Sequence, residues 1–301
     1  MSKFLLYIDI LGFKEMTLSE PRKVARVYSI LDTLNAHRQT RFSTIVFSDT
    51  ILVYNKEDAA SDNERRDYVW QLTEFAEDLH HRLTGQDIFF RAVLVQGDFN
   101  HYQLKNVECF FGGALITAYV AEKELPSLGL FMSSECQRYN QFFRTAPFSS
   151  DFAFVYLNRG LETLNKWSAG IYPFDLGMPG EDYAVNVPYQ VRFLKDIHTL
   201  MRSHAIPTVR VKFLTAWDFY YKRYPQMLQA LVEKDFDLSA LGPAGAWRVS
   251  EDTMEKDIKY FKRIGSGTDL SMTLTKKNKD NLKRALKKSK SMEFSDRGPG
   301  F

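Results

Sequence analysis

The chain has 301 residues, 45% hydrophobic, 26% charged and 14% aromatic, with a formal net charge of +3. That is ample core for one large domain or two small ones, and the charge is too small to make nucleic acid an expected partner. No apolar run reaches the roughly 18 residues of a membrane span, the start lacks a signal-peptide cleavage pattern, and Cys109 and Cys136 give neither a disulfide framework nor a zinc spacing, so a reducing, cytoplasmic location is expected.

The first predicted element is Lys3 to Phe13, KFLLYIDILGF, which reads as a strand buried on both faces and carrying one carboxylate, Asp9. An acid in such a run is costly unless a partner or a cation sits beside it. Gly12-Phe13 follows at once and a helical pattern opens a few residues later, a place suited to a metal-bound phosphate or simply to an Asp that caps a turn. Pro21 to Arg38 shows helical spacing of Val24, Val27, Ile30, Leu31 and Leu34. Phe42 to Phe47 and Thr50 to Tyr54 are β-rich runs joined at Ser48-Asp49, as a tight hairpin or a bulged strand. Glu57 to Arg66 reads as a charged loop, Asp67 to Leu83 as a helix, and Asp87 to Phe99 as a long strand broken by Gly97.

The order β-α-β-β-α-β predicts an α+β fold with a ferredoxin-like (split βαβ, palm-like) antiparallel sheet and helices on one face. In it the first strand lies beside the central hairpin, so Asp9 and Asp49 become neighbours. Two adjacent carboxylates repel unless protonated or bridged by a divalent cation, and magnesium commonly takes one or two carboxylates plus substrate phosphates. The other reading of Asp49 is a turn former.

Cys109 to Leu125 reads as a strand end, a double-glycine turn and a helix, Gly129 to Cys136 as a strand, and Phe152 to Leu157 as another. Phe174 to Tyr189 reads as a loop, Val191 to Arg202 as a helix, and Val209 to Leu231 as one aromatic helix suited to core or subunit contact. Asp235 to Met272 holds short periodic pieces punctuated by Gly and Pro. The expected organisation is a catalytic-type domain over 1–157, a mainly helical extension over 158–272, and a basic, partly disordered tail over 273–301.

The landmarks DILGF, FSDT, FRAVLVQG and CFFGGALITAYVAEKE, in this order, resemble the class III nucleotide cyclase catalytic domain. The nearest likeness is to the compact bacterial branch that includes the Pycsar anti-phage pyrimidine cyclases. It covers about the first 135 residues, with a vaguer likeness in VRVKFLTAWDFYYKRYP. The resemblance implies that Asp9 and Asp49, with the Ile10 carbonyl, hold two divalent ions, Mg²⁺ or Mn²⁺. Leu11, Gly12, Phe13 and Lys14 would receive the triphosphate through backbone N–H groups, with Ser48 beside them. One ion would activate the ribose 3′-hydroxyl and the other neutralise the departing pyrophosphate. The same family builds its active sites across a homodimer interface.

The chain departs from the family where purine-specific members carry a polar base reader, for that position is Ile45; Cys109 matches a cysteine of guanylate-type members. The family's ribose-orienting Asn and phosphate-contacting Arg correspond to Ile116 and Val120. Replacement cations are Arg91, Lys14, Arg41 and Lys123, with Arg91 the catalytic candidate and an ion pair of Arg91 with Glu122 or Asp98 its structural alternative; Tyr119 and Glu122 are candidate polar contacts. The expected function is conversion of a nucleoside triphosphate, UTP or CTP preferred, to a 3′,5′-cyclic monophosphate plus pyrophosphate. In anti-phage defence that product would act on a separate effector. The alternatives are a cyclase-like nucleotide sensor or scaffold, and another phosphoryl transferase on the same sheet.

Overall fold

The computed structural model describes residues 2–34, 40–174, 186–243 and 245–264. The basic tail, the Gly265-Ser266-Gly267 punctuation, most of the predicted loop after Phe174 and the end of the helix predicted to reach Arg38 lie outside the described residues.

Strand β1 (Ser2–Ile10) lies inside the sheet, paired antiparallel to β3 (Thr50–Asn55) on one side and β4 (Phe90–Asp98) on the other. With β2 (Phe42–Phe47), β7 (Gly129–Ser133), β8 (Thr145–Pro147) and β9 (Phe152–Val155) they form a seven-stranded sheet in the order β2-β3-β1-β4-β7-β9-β8. The sheet is mixed, because β4 and β7 run parallel. The α+β split βαβ order is present in β1, the helices α1 (Phe13–Ser19) and α2 (Pro21–Asp32), the β2–β3 hairpin, α3 (Asp62–Leu83) and β4. A separate ribbon of β5 (Asn100–Gln103) and β6 (Glu108–Phe111) precedes α4 (Gly113–Glu124).

Alternation along β1 sends its side chains into two cores. Phe4, Leu6, Ile8 and Ile10 meet Val27, Ile30 and Leu31 of α2 and Leu72, Phe75 and Leu79 of α3. Leu5 and Tyr7 face the opposite side with Val93 and Val95, under Ala114, Ala118 and Ala121 of α4. The helices of the split βαβ core thus cover one face, and α4 with the C-terminal helices covers the other. The latter are α6 (Arg159–Ser168), α7 (Val187–Ser203), α8 (Pro207–Arg223) and α9 (Pro225–Glu233); α10 (Arg248–Ile264) follows them, and its Phe261 joins the α2–α3 core. Phe193, Ile197, Phe213, Trp217 and Tyr220 belong to the same apolar cluster as Leu5 and Tyr7. The short helix α5 (Ser134–Gln137) closes β7.

Several boundaries differ from the sequence reading. Helix α3 begins five residues early: Asp62 to Arg66 are helical, because the Ser61 hydroxyl caps the Glu64 N–H at 3.3 Å and Glu64 reaches back to the Ala60 N–H at 2.6 Å. The aromatic helix is two helices, broken at Tyr224-Pro225 because proline has no N–H to continue the ladder. Helix α7 starts at Val187 with Pro188 in its first turn, where a missing N–H costs nothing. The short pieces expected after Asp235 include the 17-residue α10.

Candidate functional site

The end of β1 and the tip of the β2–β3 hairpin come together. Asp9 pairs in register with Thr50 of β3 and with Arg91 of β4. The Ile10 N–H donates to the Asp49 carbonyl at 3.0 Å, so the hairpin tip is stitched to the strand end that carries Asp9. Ser48-Asp49 is a tight two-residue turn, with Ser48 in the left-handed region at φ 56°. The Tyr28 hydroxyl holds it from the side by donating to the Ser48 carbonyl at 3.0 Å.

Asp9 lies on the face of Leu5 and Tyr7, just past their buried stretch, with 20% of its side chain accessible. Burial pushes its carboxyl above the ordinary range; Arg91 opposes this, the Asp49 carboxylate adds to it, and Lys212 opposes it more weakly. The Tyr7 hydroxyl, 3.3 Å from the Thr50 hydroxyl, is pushed up mainly by burial and also by both Asp9 and Asp49. Two carboxylates therefore act on one small volume. Among the described residues no group of three or more His, Cys, Asp or Glu gathers as a metal site. The two-acid set suits Mg²⁺ or Mn²⁺, which complete their shells with water and phosphate oxygens rather than with a full protein cage.

Arg91 is committed. Its guanidinium is paired with Glu122 of α4 and donates to the Leu125 carbonyl at 2.7 Å, while Asp9 lies 3.7 Å away. The expected alternative, an ion pair with Glu122, is what the structure holds; Asp98 instead accepts from the Gly113 N–H at 3.1 Å. Of the other cations, Arg41 pairs with Asp67 at 2.6 Å on the α3 side and Lys123 lies on its helix neighbour Tyr119. Lys14 is exposed on α1.

The turn after β1 is narrower as an anion cradle than expected. The Leu11 N–H is used by the Phe89 carbonyl at 2.9 Å, and the Phe13 side chain is buried in the α2–α3 core. Gly12, at φ 73°, opens α1, whose first N–H groups have no intrahelical acceptor. Ile45 is partly buried on the Asp9 face of β2, opposite Leu52. Cys109 is in the β5–β6 ribbon opposite Tyr102, half-buried and outside the main sheet. Ile116 and Val120 are exposed on α4, at 66% and 47%. Tyr119, between them on the same helix, is exposed as well.

The residue that sequence reasoning missed is Lys212 of α8, half-buried and electrostatically coupled to both Asp9 and Arg91. It lies in the VRVKFLTAWDFYYKRYP stretch, but no spacing there singles it out from the other charged residues.

No family model matches the chain, and no curated protein matches it. Among solved structures it is similar to the monomeric guanylyl cyclase domain of the RhoGC fusion protein from the aquatic fungus Blastocladiella emersonii: 19% identity over 51% of this chain and 94% of that one, TM-score 0.42. It is also similar to the guanylate cyclase domain of RhGC from Catenaria anguillulae in complex with GTP, at 16% identity over 52% and 96% of the chains, TM-score 0.41. A third similar structure is the adenylyl cyclase CyaB from P. aeruginosa, at 12% identity over 52% and 93%, TM-score 0.38. No helix among the described residues is long and apolar enough to cross a membrane.

Proposed function

We propose that the chain is a metal-dependent nucleotide cyclase that converts a nucleoside triphosphate, UTP or CTP by preference, to a 3′,5′-cyclic monophosphate and pyrophosphate. The observation that carries this reading is the stitching of the Asp49 hairpin tip to the end of β1 beside Asp9, with the Gly12 turn next to both. Asp9 and Asp49, with the Ile10 carbonyl, would hold Mg²⁺ or Mn²⁺. When bound, such ions supply Lewis-acid activation of a hydroxyl and neutralise a leaving phosphate. The chain's own residues bind and orient: Gly12 and Lys14 at the α1 start and Ser48 at the hairpin tip border the phosphate space. Arg91 is a positioning residue, fixed by Glu122 and setting the field on Asp9. Ile45 presents an apolar wall where a purine-reading polar side chain would stand, which supports the pyrimidine preference.

A homodimer with active sites at its interface completes the reading, supported by the exposed apolar face of α4 at Ile116, Tyr119 and Val120. The product would act on a separate cyclic-nucleotide effector, and the role in anti-phage defence rests on the sequence resemblance alone. Incubation with Mn²⁺ and each of the four ribonucleoside triphosphates should yield a cyclic pyrimidine nucleotide. Asp9→Asn and Asp49→Asn should each lower that rate by at least about a hundredfold while leaving the fold intact. Absence of any cyclic product from the unaltered protein, under conditions where a control cyclase turns over, would refute the reading. A specific observation favours a second one, a nucleotide sensor: the two family positions for Asn and Arg are exposed Ile116 and Val120. Its signature is nucleotide binding without turnover.

A further inference from the structure

Three consecutive residues at the β2–β3 tip are each held by one bond, and each bond comes from a different place. The Tyr28 hydroxyl of α2 donates to the Ser48 carbonyl at 3.0 Å. The Ile10 N–H at the end of β1 donates to the Asp49 carbonyl at 3.0 Å. The Tyr7 hydroxyl, inside β1, lies 3.3 Å from the Thr50 hydroxyl. The two tyrosines stand on opposite faces of the sheet. Tyr28 packs on Phe13 of the α2–α3 core, with ring centroids 6.1 Å apart, whereas Tyr7 is buried on the α4 face with Leu5 and Val93. The tip is thus restrained against swinging toward either face.

The grip stops short of the carboxylate. Among the described residues the Asp49 side chain makes no hydrogen bond and no ion pair, while Thr50, its neighbour in the chain, is the register partner of Asp9. Ser48 is at φ 56°, a left-handed conformation that a residue with a Cβ keeps only where its surroundings impose it. Tyr28 is 37% exposed, so water would serve the Ser48 carbonyl almost as well and the bond adds little to stability. What the bonds do fix is where Asp49 stands relative to Asp9. Magnesium-type ions demand near-ideal ligand geometry, so the placement of two shared carboxylates sets how tightly they are held.

Resting on the cyclase reading above, we propose that Tyr28 and Tyr7 are positioning residues for the acid pair: by holding the residues on either side of Asp49, their hydroxyls keep its carboxylate beside that of Asp9 and so set the affinity of the site for a divalent cation. The test is Mn²⁺ binding, titrated by water-proton relaxation, on the full chain, Tyr28→Phe, Tyr7→Phe and the double variant. Asp9→Asn and Asp49→Asn define the share of binding that belongs to the site. Tyr156→Phe is the control, since it removes a tyrosine bond of the same kind, to the Phe219 carbonyl at 3.1 Å, from the packing of α8. Each single variant is expected to weaken the acid-dependent Mn²⁺ affinity by roughly three- to tenfold, the range of one lost hydrogen bond, and the double variant by more than either. Tyr28→Phe should keep the melting temperature of the unaltered chain, and Tyr156→Phe its Mn²⁺ affinity. A loss below about twofold in either single variant overturns the proposal, as does an equal loss in Tyr156→Phe. If the unaltered chain binds no Mn²⁺, or if Asp9→Asn and Asp49→Asn bind it as well, this proposal and the cyclase reading fall together; if the acids are needed and the tyrosines are not, only this one does.

Discussion

Arg91 and Glu122 are 7% and 5% exposed, and removing one of them tests how the site is held. Arg91→Met keeps the length of the side chain and deletes the guanidinium. It leaves the Glu122 carboxylate buried without its cation and takes away the hydrogen bond to the Leu125 carbonyl, made at 2.7 Å in the parent. Breaking a buried pair in this way costs about 3–5 kcal/mol, about a fifth or more of the roughly 5–15 kcal/mol that holds a domain together. Replacing both partners with apolar groups should instead be close to neutral, because the desolvation of two charges is then relieved together. Urea unfolding of the parent, Arg91→Met, Glu122→Leu and the double variant closes the cycle. The double variant should lie within about 1 kcal/mol of the parent, giving a coupling of about 3 kcal/mol or more. A cost below about 1 kcal/mol for Arg91→Met, additive with Glu122→Leu, would show that the pair is solvated and that Arg91 does not position Asp9.

Three further outcomes follow from single features. The His80 ring lies between Phe90 and Phe193, and burial, helped by His81 and opposed by the Asn158 side chain, lowers its pKa from 6.5 to about 4. The unfolded chain then takes up the proton first, so stability should be intact above about pH 6.5 and fall by about 3 kcal/mol on going down through pH 4; in His80→Phe that acid-dependent loss should shrink in chemical denaturation at each pH. Gly112 has φ 152°, and a Cβ there would meet the Asp98 carbonyl oxygen at 2.2 Å, so Gly112→Ala should destabilise by about 1–3 kcal/mol or displace the β5–β6 ribbon, as read by thermal melting and by amide exchange of the ribbon. Ile116→Glu with Val120→Lys puts charge on the apolar face of α4 and, on the proposed homodimer, should shift sedimentation toward monomer without lowering the melting temperature of the monomer; an unchanged dimer would place the interface elsewhere.

The strands that hold the site were legible because burial on both faces leaves a plain mark. β1 reads as an apolar run interrupted only by Asp9, β4 as one that carries Arg91 and breaks at Gly97, and the two halves of the β2–β3 hairpin are separated by the polar pair Ser48-Asp49. Adjacency of Asp9 and Asp49 then followed from topology. Two boundaries were misread although their signals were present: the Ser61-to-Glu64 cap at the start of α3, and Pro225 inside the aromatic run. Of the β5–β6 ribbon only the strand end at Cys109 was legible, since its strands are four residues each and largely exposed. It is held by long-range contacts such as His101 set between the Tyr54 hydroxyl and Glu108. Arg91 and Glu122 come from elements 31 residues apart, and which of the many charged residues meet is decided by packing, not by local pattern.

The charge count around β1 explains why the acid pair calls for a ligand. Asp9 and Glu122 both face the single guanidinium of Arg91, and Glu122 has taken it, leaving Asp9 at 3.7 Å as the poorer partner. Asp49 then adds a second negative charge beside Asp9, and Lys212 offsets it from the other side. A chain selected only for stability would fill the Asp9 position with another Leu or Ile, as it does at Leu5, Leu6 and Ile8, because a raised carboxyl in a strand contributes nothing to the core. Keeping the acid there is intelligible if a cation arrives to share it with Asp49. A triphosphate brings roughly as much negative charge as two divalent ions bring positive, so the loaded site would keep nearly the protein's own balance.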